Sequence, residues 1–119
     1  MLPTHSLGSL GEKLAADYLR SKGYQILETN YHIREGEIDI ICEQNNCLVF
    51  VEVKTRTNQA FGWPEDAVND FKLEKILAAA FDYLQHHDIN ADWRVDVISI
   101  IRNRTKNVYE IKRFQDIGV

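Results

Sequence analysis

Residues 36–56 read GEIDIICEQNNCLVFVEVKTR, two runs of strong strand formers separated by Gln44-Asn45-Asn46. Each run carries a carboxylate among its Ile, Val and Phe residues, Asp39 in the first and Glu52 in the second. Successive side chains of a strand point to opposite faces, so residue parity sorts them. Ile38, Ile40 and Cys42 share one face of the first run, and Glu37, Asp39 and Ile41 share the other. In the second run Val49, Val51 and Val53 share a face, opposite Phe50, Glu52 and Lys54. Each strand thus combines an apolar face with one that turns charged away from the connection.

The connection sets the register. Asparagine tolerates positive φ, so Asn45-Asn46 fits a two-residue hairpin loop. Ile41 then faces Phe50, Asp39 faces Glu52, and Glu37 faces Lys54; a slip of one residue would send the two acids to different faces. Directly opposed side chains have Cβ atoms about 5 Å apart, where like charges destabilise a sheet. Two carboxylates held so close share either a proton or a cation. Hard oxygen ligands at this spacing suit Mg²⁺, which takes one or two carboxylates with water and phosphate oxygens. Lys54, about 6–7 Å further along the same face, is placed to polarise a water or steady charge developing on a phosphate. The plainer alternative is a solvated strand face with a Glu37–Lys54 ion pair. Asp39, a gap, then Glu52-Val53-Lys54, all at the polar end of an apolar hairpin, favours the metal site.

Outward from the hairpin, helical spacing of Leu7, Leu10, Leu14 and Tyr18 predicts a helix over about 7–22, with Gly23 as its stop. YQILETNY (24–31) predicts a short strand, and the hairpin strands span about 37–43 and 47–56. Pro64 suits a first helical position, and Val68, Phe71, Ile76, Ala80 and Leu84 make the stripe of a helix ending near His86. WRVDVISII (93–101) and VYEIKRF (108–114) predict two more strands. The order αβββαββ indicates an α/β fold, a mixed β-sheet flanked by helices. There is no repeat, low-complexity stretch or linker, so residues 1–119 form a single domain.

With 45% hydrophobic and 27% charged residues in 119, the chain can bury one real core. No apolar run approaches the roughly 18 residues of a membrane span, and the N-terminus lacks the basic start and apolar block of a signal peptide. A cytoplasmic protein without a membrane partner is the expectation. Cys42 and Cys47 make no CxxC, and His5, His32, His86 and His87 have no zinc spacing. His86-His87-Asp88 fits a helix end. The formal net charge is −4, yet between Trp93 and Arg113 six basic residues (Arg94, Arg102, Arg104, Lys106, Lys112, Arg113) meet only Asp96 and Glu110. That local excess reads either as a nucleic-acid footprint or as a basic edge strand that blocks aggregation.

Glu12 is a further acid, beside the apolar stripe of the first helix with Ala15, Ala16 and Leu19. It reads equally as a member of the site and as the glutamate of a capping box begun by Ser9.

Asp39, Glu52 and Lys54 resemble the motif of the restriction-endonuclease-like (PD-(D/E)xK) nucleases, an Asp followed across a hairpin by (D/E)-x-K. The helix Gly11-Glu12, GEIDII, FVEVKTR, FGWPEDAV followed by Lys72, and RVDV together resemble the YraN-like family of small bacterial predicted endonucleases, along nearly the whole chain. Ile38 stands where the superfamily's nominal motif has proline. The resemblance implies a restriction-endonuclease-like core and divalent-metal-dependent hydrolysis of phosphodiester bonds, in DNA including branched or single-stranded forms. It implies that Asp39, Glu52 and Glu12 hold Mg²⁺ or Mn²⁺, that Lys54 serves the attacking water, and that Arg56 and Lys72 touch the nucleic-acid backbone. A homodimer would suit symmetric cutting of two strands. The rival expectation is a catalytically silent nucleic-acid-binding or assembly module with the same fold.

Overall fold

The computed structural model describes residues 7–57 and 73–118. Helix α1 (Leu7–Ser21) leads into strands β1 (Gln25–Ile33), β2 (Gly36–Gln44) and β3 (Cys47–Thr57); helix α2 (Leu73–His86) precedes β4 (Asp92–Asn103) and β5 (Val108–Phe114). The order αβββαββ and the mixed sheet agree with the sequence expectation. The expected helix start at Pro64, and Lys72, lie outside the described residues.

The five strands lie in chain order, β1-β2-β3-β4-β5. All neighbouring pairs are antiparallel except β3 and β4, which run parallel. A parallel pair needs a crossover connection, and α2 lies in it. Asn45 (φ 53°) and Asn46 (φ 61°) are both left-handed, as a type I′ hairpin turn requires. The resulting pairs, Gln44–Cys47 through Ile41–Phe50 to Ile40–Val51, are those the turn predicts.

Each sheet face has its own core. Ala15, Ala16 and Leu19 of α1 pack with Ile40, Cys42, Val49, Val51, Ile98 and Ile100. Ile76, Ala79, Ala80 and Tyr83 of α2 pack with Ile38, Ile41, Leu48, Phe50 and Val95 on the opposite face. Both helices show the apolar stripe that such packing demands. Gly23 (φ 92°) ends α1, with Tyr24 N–H donating to the Leu19 carbonyl and Gly23 N–H to Arg20, each at 3.0 Å, a Schellman closure. At the end of α2, the His86 and His87 ring nitrogens lie 2.9 Å from the carbonyls of Asp82 and Tyr83. The histidine pair finishes a helix, as expected.

One residue departs from simple alternation. Ile38 should share a face with Ile40 and Cys42, yet it packs in the α2 core while they pack in the α1 core. The β1–β2 ladder pairs Thr29 with Ile40 and Tyr31 with Ile38 but skips Asn30 and Asp39 between them. Asn30 is left-handed at φ 54°. The hairpin face is therefore apolar only as far as Ile40, and β2 rolls over at Asp39.

Candidate metal and phosphate site

The β2–β3 ladder ends at Ile40–Val51, one step before Asp39 and Glu52 would pair. Beyond that point the Asp39 carboxylate replaces the backbone: its Oδ2 accepts the Val53 N–H at 2.7 Å. An acid inside a good strand thus ends the ladder and satisfies an amide that the parting strands would leave open. Glu37 does not reach across to Lys54. It lies opposite His32 on β1, with Oε1 3.1 Å from the His32 Nδ1. Lys54 instead points back along β3, its Nζ 3.6 Å from Glu52 Oε2. The expected Glu37–Lys54 pairing fails because the two strands separate at the roll in β2.

Asp39 and Glu52 are both half-buried, with the Glu52 side chain 23% exposed. Burial and then the neighbouring Asp39 charge push the Glu52 carboxyl up to about 7, against the pull of Lys54. Burial also raises the Asp39 carboxyl, opposed by the Val53 N–H and by a hydrogen bond from Glu52. Two carboxyls this close titrate together rather than singly.

Glu12, on α1, lies near enough to this pair for the Asp39 charge to act on it. Since α1 is already helical at Leu7, Ser9 lies inside the helix and is not its cap, which removes the capping-box reading. The approach depends on Gly11. A Cβ there would stand 1.9 Å from Thr55 Cγ2, so only glycine lets α1 lie this close to β3. Burial and the charge of Asp39 raise the Glu12 carboxyl, while a hydrogen bond with the Asn30 side chain lowers it. Gly36 plays the same part across the sheet, where a Cβ would meet the Lys75 carbonyl of α2 at 1.9 Å. The glycines of both Gly-Glu motifs are thus explained by close approach of a helix to the hairpin.

The parallel pairing of β3 with β4 brings basic residues to the same end of the sheet. Arg56 lies beside Ile101, and Thr57 beside Arg102. The turn after β4, carrying Arg104 and Lys106, therefore follows directly from the end that holds Glu52 and Lys54. The Asn103 side chain accepts the Lys106 N–H at 3.1 Å, ordering the turn. RVDV has a different role. Asp96 is fully buried; it pairs with Arg94 at 2.9 Å and accepts the Asp116 N–H at 3.0 Å. Arg94 also donates to the Tyr24 hydroxyl at 2.8 Å, so the motif ties β4 to the segment after α1 and to the chain after β5.

The structure thus brings together Asp39, Glu52 and Lys54, sets Glu12 near enough to feel the Asp39 charge without converging on the pair, places Arg56 beyond them on β3, and leaves Lys72 outside the described residues. Among the described residues no three His, Cys, Asp or Glu side chains converge closely enough to cage a metal ion. Two hard carboxylates nonetheless match what Mg²⁺ or Mn²⁺ takes from a protein when water and phosphate fill the other positions. Sequence reasoning missed Asn30. Its signal was an asparagine, a residue depleted in strands, inside the run LETNYHI.

Fold and site define a small mixed α/β domain with a paired-acid and lysine cluster at the open end of its central hairpin. A family model described as "Uncharacterised protein family UPF0102" matches residues 11–100. The chain belongs to that family, in agreement with the YraN-like resemblance of its motifs. A UPF0102 protein of Flavobacterium psychrophilum is 39% identical over 116 residues, covering 98% of this chain and 96% of the relative. One from Alkaliphilus metalliredigens is 43% identical over 107 residues, covering 89% and 94%. One from Syntrophomonas wolfei is 54% identical over 79 residues, covering 66% and 69%. No described helix is long and apolar enough to cross a membrane.

Proposed function

We propose that this protein is a divalent-metal-dependent nuclease of the restriction-endonuclease-like superfamily, hydrolysing phosphodiester bonds in DNA. One observation carries the reading: two half-buried acids, Asp39 and Glu52, stand together at the end of a hairpin, burial raising both and the Asp39 charge raising Glu52 further, with Lys54 3.6 Å from Glu52. A fold gains nothing in stability from such an arrangement, so it asks for a cation.

Asp39 and Glu52, with Glu12 from α1, would hold Mg²⁺ or Mn²⁺, which supplies positive charge at the scissile phosphate and acidifies water there. The Val53 N–H fixes one Asp39 oxygen and leaves the other for a ligand. Lys54 holds its ammonium beside Glu52, where it orients the attacking water and balances charge on the phosphate. Hydrolysis forms one P–O bond from water and breaks the ester P–O bond, leaving a phosphate monoester and an alcohol. Arg56 and the turn bearing Arg104 and Lys106 meet the flanking backbone.

The test is cleavage of linear, nicked and four-way-junction DNA with Mg²⁺ and with Mn²⁺, beside the Glu52→Ala and Lys54→Ala variants. Metal-dependent cleavage lost in both variants supports the site. Activity that survives both substitutions refutes it. The net charge of −4 favours a second reading, a catalytically silent nucleic-acid-binding or assembly module. Salt-sensitive binding with no cleavage on any DNA or RNA form selects that one.

A further inference from the structure

We propose that the β4–β5 turn is a second anchor for duplex DNA, holding the backbone about six base pairs from the scissile phosphate and on one side of it only. The distance from the cut rests on the nuclease reading. The grip on a duplex does not.

Beyond the acids the sheet forks. The β2–β3 ladder ends at Ile40–Val51, while β1–β2 runs on to Ile33–Gly36, β3–β4 to Thr57–Arg102 and β4–β5 to Asn103–Val108. Asp39 and Glu52 stand where the two arms part, and the Val53 N–H on Asp39 bridges them there. The arms differ in reach. Past Ile40 the short arm ends at Gly36, roughly 13 Å away at about 3.3 Å per residue. On the long arm Val97 lies beside Glu52, and β4 continues from there to Asn103, roughly 20 Å further on. A duplex advances about 3.4 Å per base pair, so that span is about six base pairs.

The arms also differ in charge. From Val97 to Tyr109 the charged residues are Arg102, Arg104 and Lys106, with no acid among them. The β1–β2 turn sets Arg34 against Glu35, and Glu37 follows on β2. Phosphates are therefore drawn to the long arm. Its turn is held by its own side chains. Asn107 is left-handed at φ 55° and its Oδ1 accepts from Arg102 Nη2 at 3.4 Å, while Asn103 Oδ1 accepts the Lys106 N–H at 3.1 Å. Arg104 through Val108 are exposed, so both cations of the turn meet solvent. The β3–β4 register is unbroken from Cys47–Asp92 to Thr57–Arg102, which fixes the span between acids and turn. Two anchors at a fixed span suit a stiff ligand. A duplex keeps its direction over about 150 base pairs, whereas a single strand lengthens or shortens between the same two points and gains little from the fixed span.

Two measurements decide this. The test variant combines Arg104→Gln with Lys106→Gln, and Arg34→Gln on the other arm is the control; all three positions are exposed. Fluorescence anisotropy without divalent metal reads binding to a duplex and to one of its strands alone. The double variant should lower the slope of log K against log salt by about 2 on the duplex and leave the single strand unchanged. An unchanged slope on the duplex, or as large a loss on the single strand, overturns the anchor. The second measurement maps cuts along an end-labelled duplex with Mg²⁺ or Mn²⁺. Wild-type cuts should stop about six base pairs short of one end of each strand and run closer to the other, and the double variant should lose that limit. Cuts that come equally close to both ends, or an Arg34→Gln variant that moves the limit as the double variant does, overturn the one-sided placement. A wild-type chain that cuts nothing defeats the nuclease reading instead, and the salt slopes still decide whether the turn grips a duplex.

Discussion

Replacing Glu52 with glutamine keeps the shape of the side chain and removes one of two charges that the hairpin holds together. The folded Glu52 carboxyl titrates at about 7, against 4.5 for an ordinary glutamate, chiefly through burial and the charge of Asp39. A folded pKa above the unfolded value means that the native state binds the extra proton. Glu52 therefore contributes stability to the metal-free protein that is fully present below pH 4.5, is lost as pH rises to about 7, and changes no further above it. Taken at face value the shift is worth about 3 kcal/mol. With 23% of the side chain in water and the titration shared with Asp39, about 1–2 kcal/mol is the expected size after screening. The opposing loss is the Lys54 contact at 3.6 Å, worth about 0.5 kcal/mol for a partly exposed pair. Burial and repulsion outweigh it.

Glu52→Gln should accordingly match the wild type near pH 4.5 and exceed it at pH 8 by about 1 kcal/mol, or roughly 4 °C in Tm for a domain of this size. Thermal or urea unfolding in EDTA between pH 4.5 and 8.5 reads the effect. Repeated with saturating Mg²⁺ or Mn²⁺, the wild type should gain stability and the variant should gain much less. A variant that is destabilised at pH 8, or stabilised equally at both ends of the range, would refute the claim that a buried, repelled carboxylate sits here. An equal metal-induced rise in both proteins would refute the assignment of Glu52 as a ligand.

Gly11→Ala should destabilise the protein by about 1–3 kcal/mol, because its methyl would meet Thr55 Cγ2. Thr55→Ser, which removes that methyl, should restore much of the loss in a double-mutant cycle followed by urea unfolding. Asp96→Ala strips a fully buried partner from Arg94 and should cost about 3 kcal/mol in the same assay. Joint replacement of Arg102, Arg104 and Lys106 by alanine should lower the slope of log K against log salt for DNA by up to about 3. Filter or anisotropy binding without divalent metal measures that slope, and an unchanged slope would remove the turn from the interface.

Much of this protein is legible along the chain because its decisive signals are local. A two-residue Asn-Asn turn and period-two alternation together specify one pairing, and Gly23 and the His86-His87 pair mark helix ends through backbone chemistry within a few residues. The same logic singled out Asp39, Glu52 and Lys54 as neighbours, since residue types at odd places in good strands are visible without a fold. It failed where two distant segments had to be compared. Parity put Ile38 with Ile40, but a left-handed residue on the neighbouring strand broke that relation. Ser9 looked like a cap from its spacing to Glu12, although the apolar stripe already starts the helix at Leu7, where the structure has α1 helical.

By itself the sequence determined the element order, the hairpin register and the presence of an acid pair with a lysine, all consequences of interactions between near neighbours. Tertiary structure decided what those residues do. Asp39 closes onto Val53 because β1 releases it at Asn30. Glu12 comes within range of the Asp39 charge because Gly11 lets α1 settle on Thr55. The basic turn stands at the acidic end because β4 returns parallel to β3. Each depends on packing between segments far apart in the chain, where burial and close approach, rather than local propensity, set the geometry.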